Sequence, residues 1–230
     1  MTITSLYAGN NGKPTFNEFI TPVGKIVHCY HDRPQLQENE KTRTPVLDED
    51  GIQKADFKVT LAWPKEELNT SLIPMRTLAA TTRDEAWGPD CAKDQWFRLE
   101  TFLRDGNNPE HNTKRKEYLF DMVYLNFKTK AIPSRQPDGR IVYTGKPGLI
   151  GPYNEDLLPI DVYAGCTARI SGIMFATEYS GRKFISTRLN NIQKAADGER
   201  MGGSGKPDAR SQFDPLLTAP VGGGFGTTVL

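Results

Sequence analysis

The residues of this chain best suited to chemistry are aromatic and basic ones set at strand spacing. In Tyr118-Leu-Phe-Asp-Met-Val-Tyr-Leu-Asn-Phe-Lys-Thr-Lys130 a period of two puts Tyr118, Phe120, Met122, Tyr124, Asn126, Lys128 and Lys130 on one face. The other face, Leu119, Asp121, Val123, Leu125 and Phe127, is mostly apolar and suits a core. A planar base can stack on the Tyr124 ring while the Lys128 and Lys130 ammonium groups meet phosphates; the competing reading of Tyr124 is a half-buried strand tyrosine without a ligand. A second stretch, Ile173-Met-Phe-Ala-Thr-Glu-Tyr-Ser-Gly-Arg-Lys183, sets Phe175 and Tyr179 near a turn beside Arg182 and Lys183. Exposed aromatics in such a place are costly unless something covers them. Two platforms of this kind, joined by basic strands, make a track for a single nucleic-acid strand, each stacked base contributing about 1–3 kcal/mol with little regard to sequence.

Other chemistries find less support. His28, Cys29 and His31 lie close enough to suggest a metal, but alternation sends His28 and Cys29 to opposite faces, and no second Cys/His cluster completes a tetrahedral site. Cys29, Cys91 and Cys166 are odd in number and far apart, so neither a disulfide framework nor a redox pair is indicated, and Cys166 reads as a packed thiol within a strand. Gly145-Lys146 and Gly205-Lys206 are each followed by Pro where a phosphate loop needs Ser or Thr. The run Asp48-Glu49-Asp50 reads as a solvated loop. No catalysis, metal or cofactor is expected.

Strands are needed to hold these side chains. With 37% apolar and 25% charged residues, 21 Gly and 16 Pro in 230 residues, the composition suits one loop-rich, mainly β domain better than a helical bundle. Val23–Tyr30 reads as a first strand and Asp32–Gln53 as a long loop. Asp56-Phe-Lys-Val-Thr-Leu-Ala-Trp63 alternates, with Phe57, Val59 and Leu61 on one face, Lys58 and Thr60 on the other, and Pro64 as its stop. Between Lys65 and Ala92 the period changes: Leu68, Leu72, Met75, Leu78 and Ala79 predict a helix lying on a sheet, with Pro74 in a first turn or a break. A strand block over Tyr118–Ile132, a short strand at Arg140–Tyr143, and a hairpin of Asp161–Thr177 and Arg182–Gln193 follow. Residues 1–22 read as an N-terminal arm, 23–197 as the domain and 198–230 as a disordered, Gly-rich tail.

Charge is uneven within a formal net of +1. Thr113–Lys146 carries eight basic residues against Glu117, Asp121 and Asp138, and Gly165–Lys194 carries Arg169, Arg182, Lys183, Arg188 and Lys194 against Glu178 alone. A nearly neutral chain thus presents a basic face fit for a polyanion. The start Met1-Thr-Ile-Thr-Ser5 lacks the regions of a signal peptide and no apolar run is long enough to span a bilayer, so an intracellular location without membrane contact is expected.

Four segments then resemble a known family. Val162-Tyr-Ala-Gly-Cys166, Leu189-Asn-Asn-Ile-Gln-Lys-Ala-Ala-Asp-Gly-Glu-Arg-Met-Gly-Gly203, Leu103-Arg-Asp-Gly-Asn107 and Tyr124–Lys130 are similar to signatures of the replicative single-stranded DNA-binding proteins of tailed phages, the variant OB-fold group related to the gene 2.5 protein of short-tailed coliphages. The resemblance covers about Val23 to Gly203. It implies an OB-fold barrel with an inserted helix and long loops, coating single-stranded DNA in the host cytoplasm during phage replication or recombination. By that resemblance Tyr124 is one stacking group and either Phe175 or Tyr179 the other. Arg104, Lys128, Lys130, Arg169, Arg182 and Arg200 are the expected cations. Gly198–Gly203 is either a structured return over the DNA groove or the neck of the tail. Replisome proteins such as polymerase and helicase-primase are the expected partners of the tail, and self-association is open. The tail departs from the acidic tails common in such proteins: Glu199, Asp208 and Asp214 are balanced by Arg200, Lys206 and Arg210, leaving Phe225 and Val229-Leu230 as an apolar tip. The alternatives are a β-sandwich protein-interaction or virion module and, more weakly, a metal-dependent nuclease.

Overall fold

Alternating apolar residues build the core as the periodicity requires. Phe57, Val59, Leu61 and Trp63 on one strand and Val123, Leu125 and Phe127 on another are all buried, and Phe127 meets Phe19 with ring centroids 6.2 Å apart. The computed structural model describes residues 4–5, 16–39, 41–88, 102–179 and 182–201. Its elements are β1 (Thr4–Ser5), β2 (Phe16–Ile20), β3 (Gly24–Leu36), β4 (Ala55–Pro64), α1 (Ile73–Trp87), β5 (Arg104–Asp105), β6 (Met122–Arg135), β7 (Ile141–Thr144), β8 (Gly148–Ile150), β9 (Thr167–Tyr179) and β10 (Arg182–Ala196).

Five of these strands pair in a closed circuit. β3 runs antiparallel to β4, β4 to β6, β9 to β10 and β3 to β9, while β6 meets β10 in parallel at Lys128 and Arg188. That connectivity, five strands with one parallel junction, is the OB barrel. β2 and β1 extend the sheet beyond β9, and β8 extends it beyond β10. No helix among the described residues is long and apolar enough to cross a membrane.

Several boundaries differ from the sequence reading. β3 continues past Tyr30 to Leu36 through a register shift, so the loop to β4 is shorter and is closed by bridges at Glu38–Pro45 and Leu47–Gln53. Phe16–Ile20 is no loose arm: it pairs with β9 from Phe16–Phe175 to Ile20–Ser171 and buries Phe19, so the domain begins upstream of Val23. The helix starts at Ile73 after a short 3-10 turn at Lys65–Asn69, with Pro74 in its first turn, where a missing N–H costs nothing. Its buried side, Met75, Leu78, Ala79 and Thr82, packs on the sheet, and the Asn17 amide donates to Thr82 Oγ1 at 2.9 Å. β6 begins only at Met122. Residues Glu117–Leu119 form a 3-10 turn and Asp121 takes a φ of 57°, so Tyr118 and Phe120 do not follow the alternation of Tyr124.

The return at 198–201 is structured. Met201 N donates to Ala164 O at 2.7 Å, the Tyr163 hydroxyl donates to Asp197 at 2.7 Å, and the Arg200 guanidinium stacks 3.9 Å from the Tyr163 ring centre. Residues 198–201, expected to begin the tail, are thus packed against the domain. Cys91, the tail from Gly202 onward, and the side chains of Tyr179 and Arg182 lie outside the described residues.

Candidate nucleic-acid interface

The outer faces of β3, β4 and β6 and the edge of β10 form a groove of about 860 Å³. Strand register aligns its walls. Tyr30 on β3 lies opposite Lys58 on β4, Lys58 opposite Lys128 on β6, and Lys128 opposite Arg188 on β10. Two residues further along, His28, Thr60 and Asn126 repeat the row, with the Thr60 hydroxyl donating to Asn126 Oδ1 at 2.6 Å. The segment between β5 and β6 folds over one side and adds Lys114, Lys116 and Tyr118, while Arg104 joins from β5.

Among the described residues, the lining contains Lys58, Arg104, Lys114, Lys116 and Lys128, two histidines, and no Asp or Glu. None of Lys58, Lys128 and Arg188 has an ion-pair partner among the described residues. Burial, and after it the charges of Lys116 and Lys58, hold the His28 pKa below its usual value. Two aromatic rings of the groove lining are open to solvent, Tyr30 at 39% and Tyr118 at 41%; His28 meets Tyr30 edge-on, and Lys116 lies 5.6 Å from the Tyr118 ring centre. Cationic groups beside open rings, on the β4–β6 face of an OB barrel, can hold phosphates and stack bases together.

A family model described as the ssDNA-binding protein of Enterobacter phage Enc34 matches residues 43–220, more than half of the chain. The chain belongs to this family. The phage resemblance read from Val162–Cys166 and Leu189–Gly203 is thereby borne out. No curated protein matches significantly. Among solved structures, the chain is similar to the single-stranded DNA-binding protein from bacteriophage Enc34 in complex with ssDNA, at 14% identity and a TM-score of 0.47, covering 86% of this chain and 98% of that one. It is also similar to gp2.5, a single-stranded DNA-binding protein encoded by bacteriophage T7, at 10% identity and a TM-score of 0.45, covering 90% of this chain and 99% of that one.

The residues singled out by sequence fall unevenly on this family member. Lys128 and Arg104 line the groove and are exposed. Lys130 shares their face, opposite Asp56, one step beyond the lining. Tyr124 lines the groove but is only 5% exposed, packed with Val27, Ala62 and Leu119, and its hydroxyl donates to His111 O at 2.6 Å, an arrangement that favours the buried strand tyrosine over the stacking group. It forms part of the wall, without an open face for stacking. Phe175 is half-buried on β9, opposite Phe16 and Ser186, and does not line the groove. Arg169 donates to Gln193 Oε1 at 2.6 Å on the far part of the hairpin, and Arg200 is spent on Tyr163; neither lines the groove.

Tyr30, Lys58 and Tyr118 were not singled out as site residues. Lys58 carried a signal, since alternation already put it on the face opposite Phe57 and Val59. Tyr30 falls on the same face as His28 by the same count. The Cys29 thiol, pushed up to about 12 by burial and by nearby Cys166, stays protonated at neutral pH, which argues against a thiolate nucleophile there.

Proposed function

We propose that this chain binds single-stranded DNA in the groove between β3, β4, β6 and the 106–121 segment, with little sequence preference and without catalysis, coating strands exposed during phage DNA replication and recombination in the host cytoplasm. The observation that carries the reading is the acid-free lining with the cross-strand row Tyr30, Lys58, Lys128 and Arg188. Lys58, Lys128, Lys114, Lys116 and Arg104 meet phosphates, and Tyr30 and Tyr118 stack bases. Contact with polymerase or helicase-primase is assigned to the segment beyond Gly202. A gel shift with labelled oligo-dT, run with duplex competitor and with divalent metal, tests this: binding that survives the duplex and leaves the oligomer intact is expected, whereas cleavage or indifference to oligo-dT overturns it.

Stacking on the two open rings has its own test. Tyr30→Ala and Tyr118→Ala should each weaken oligo-dT binding by about 1–3 kcal/mol, read by fluorescence titration, with little change in melting temperature because both rings are exposed. Unchanged affinity in both variants would remove these rings from the reading.

Binding should also take up a proton. His28 is held neutral by burial and by the two lysines, and a phosphate seated between those lysines reverses the field it feels. Its pKa then rises in the complex, so affinity increases as pH falls through about 8 to 5, the range in which histidine titrates. His28→Gln should flatten that dependence in titrations at constant salt. A wild-type affinity independent of pH would contradict the linkage.

A further inference from the structure

The buried Tyr124 places its hydroxyl on the segment that covers it. The segment from Gly106 to Asp121 has almost no regular structure, yet its shape is fixed by side chains bonding to backbone. Asn112, 5% exposed, donates from Nδ2 to Gly106 O at 2.9 Å and to Lys116 O at 3.0 Å, and accepts from Lys116 N at 2.8 Å. At the base of the segment Asn107 and Asp121 close on each other: Asn107 Nδ2 donates to Asp121 Oδ1 at 2.9 Å and Asp121 N donates to Asn107 Oδ1 at 2.8 Å. A Cβ on Gly106 would stand 1.7 Å from Leu119 O, so the two ends approach as closely as backbones can. Arg115 and Asp121 sit at φ 47° and 57°, a left-handed backbone that non-glycine residues keep only where the surroundings enforce it. At His111 the segment is tied to β6 by the Tyr124 hydroxyl on His111 O at 2.6 Å, and to β5 by His111 Nδ1, which accepts from Asp105 N at 3.0 Å.

We infer that residues 106–121 form a clasp preset before DNA arrives, and that Tyr124 is a positioning residue whose hydroxyl holds Lys114 and Lys116 against the groove. This rests on the groove being the DNA site. The long lysine side chains then meet phosphates without the loop having to be ordered at the moment of binding, which removes one of the ordinary costs of association. Asn107 and Asn112 serve the same end from the base and the middle of the segment, and the burial of the Tyr124 ring is what such a tether needs.

The experiment uses the full chain, oligo-dT titrations over a range of salt, and hydrogen exchange. Tyr124→Phe keeps the ring and removes the tether. It should raise Kd by about fivefold, the worth of one hydrogen bond, and speed amide exchange across 106–121 while exchange in β4 stays as in the wild type. In the wild type, replacing Lys114 and Lys116 by Ala should make the slope of log K against log salt shallower by about 1.4 for two lost phosphate contacts. In the Tyr124→Phe background the same pair should matter less, because those lysines are no longer held in place. Asn107→Ala, at an exposed position, should reproduce the exchange and coupling results without touching the barrel. Wild-type binding that is weakened by Lys58→Ala, together with Tyr124→Phe and Asn107→Ala variants equal to the wild type in affinity and lysine coupling, overturns the clasp and leaves the groove standing. Absence of wild-type binding, or indifference to Lys58→Ala, overturns the groove itself.

Discussion

Replacing Lys58 and Lys128 together by Ala should cut affinity for oligo-dT by about 150-fold or more while leaving the fold as stable as before or slightly more so. Each ammonium lost from a phosphate removes a charged hydrogen bond with a net worth of about 1.5–3 kcal/mol, so the pair accounts for at least about 3 kcal/mol. The salt dependence should become shallower by about 1.4 in the log–log slope. Stability moves the other way. The two lysines face each other directly across β4 and β6, and like charges so placed destabilise a sheet by about 0.2–1 kcal/mol. No acid offsets them among the described residues; Lys58 donates only to the neutral Gln35 amide at 3.1 Å. Relief of that repulsion should raise the melting temperature by up to about 4 °C in a protein of this size. A variant that melts lower and binds less would make the lysines ordinary structural residues, so titration and thermal melting together decide the question.

Gly165→Ala should be strongly destabilising. Gly165 sits at φ 119°, and a Cβ there would stand 1.8 Å from Glu199 O, a backbone atom that cannot step aside without lifting the 197–201 return. The backbone term alone is of order 1–3 kcal/mol. The collision adds the loss of the Tyr163 bonds to Asp197 and Gly198, the Arg200 stack, and the Met201-to-Ala164 bond. With about 2 kcal/mol or more lost, the melting temperature should fall by about 4–8 °C, and trypsin should cut at Arg200 far faster than in the wild type. Gly139→Ala is the control: φ is 84°, but nothing lies within 4 Å of the new methyl, so the backbone cost appears without the collision. Equal melting temperatures for the two variants would show that the docked return contributes nothing.

Much of the barrel is legible in the sequence because alternation is a local signal. Phe57, Val59 and Leu61 against Lys58 and Thr60, and Val123, Leu125 and Phe127 against Asn126 and Lys128, are assigned to the correct faces by counting in twos. What counting cannot supply is which of these faces meet. Lys58 and Lys128 become neighbours through a register set by packing between strands far apart in sequence, and that alignment puts two lysines side by side in the proposed site. The fate of Tyr124 is hidden for a different reason: the segment that covers it is held by Asn107 and Asn112 side chains and follows no period. The motif Leu103-Arg-Asp-Gly-Asn107 carries the local signal of that segment. Arg104 faces the groove, Asp105 pairs with Lys65 at 2.8 Å, Gly106 leaves room for Leu119, and Asn107 closes the segment. Arg169 and Arg200 fall away from the groove lining, because charge along a chain says nothing about where in the fold a residue lies.

The circuit of strands closes between β6 and β10 at the single pair Lys128 and Arg188, two cations side by side at the rim of the groove. The seam of the barrel and the ligand site therefore share a boundary. A polyanion lying there would supply the counter-charge that these two cations lack among the described residues, so occupancy and integrity would become linked quantities. If the proposed groove holds DNA, the empty protein is expected to unfold more readily than the loaded one, and the bound strand to protect its binder in return.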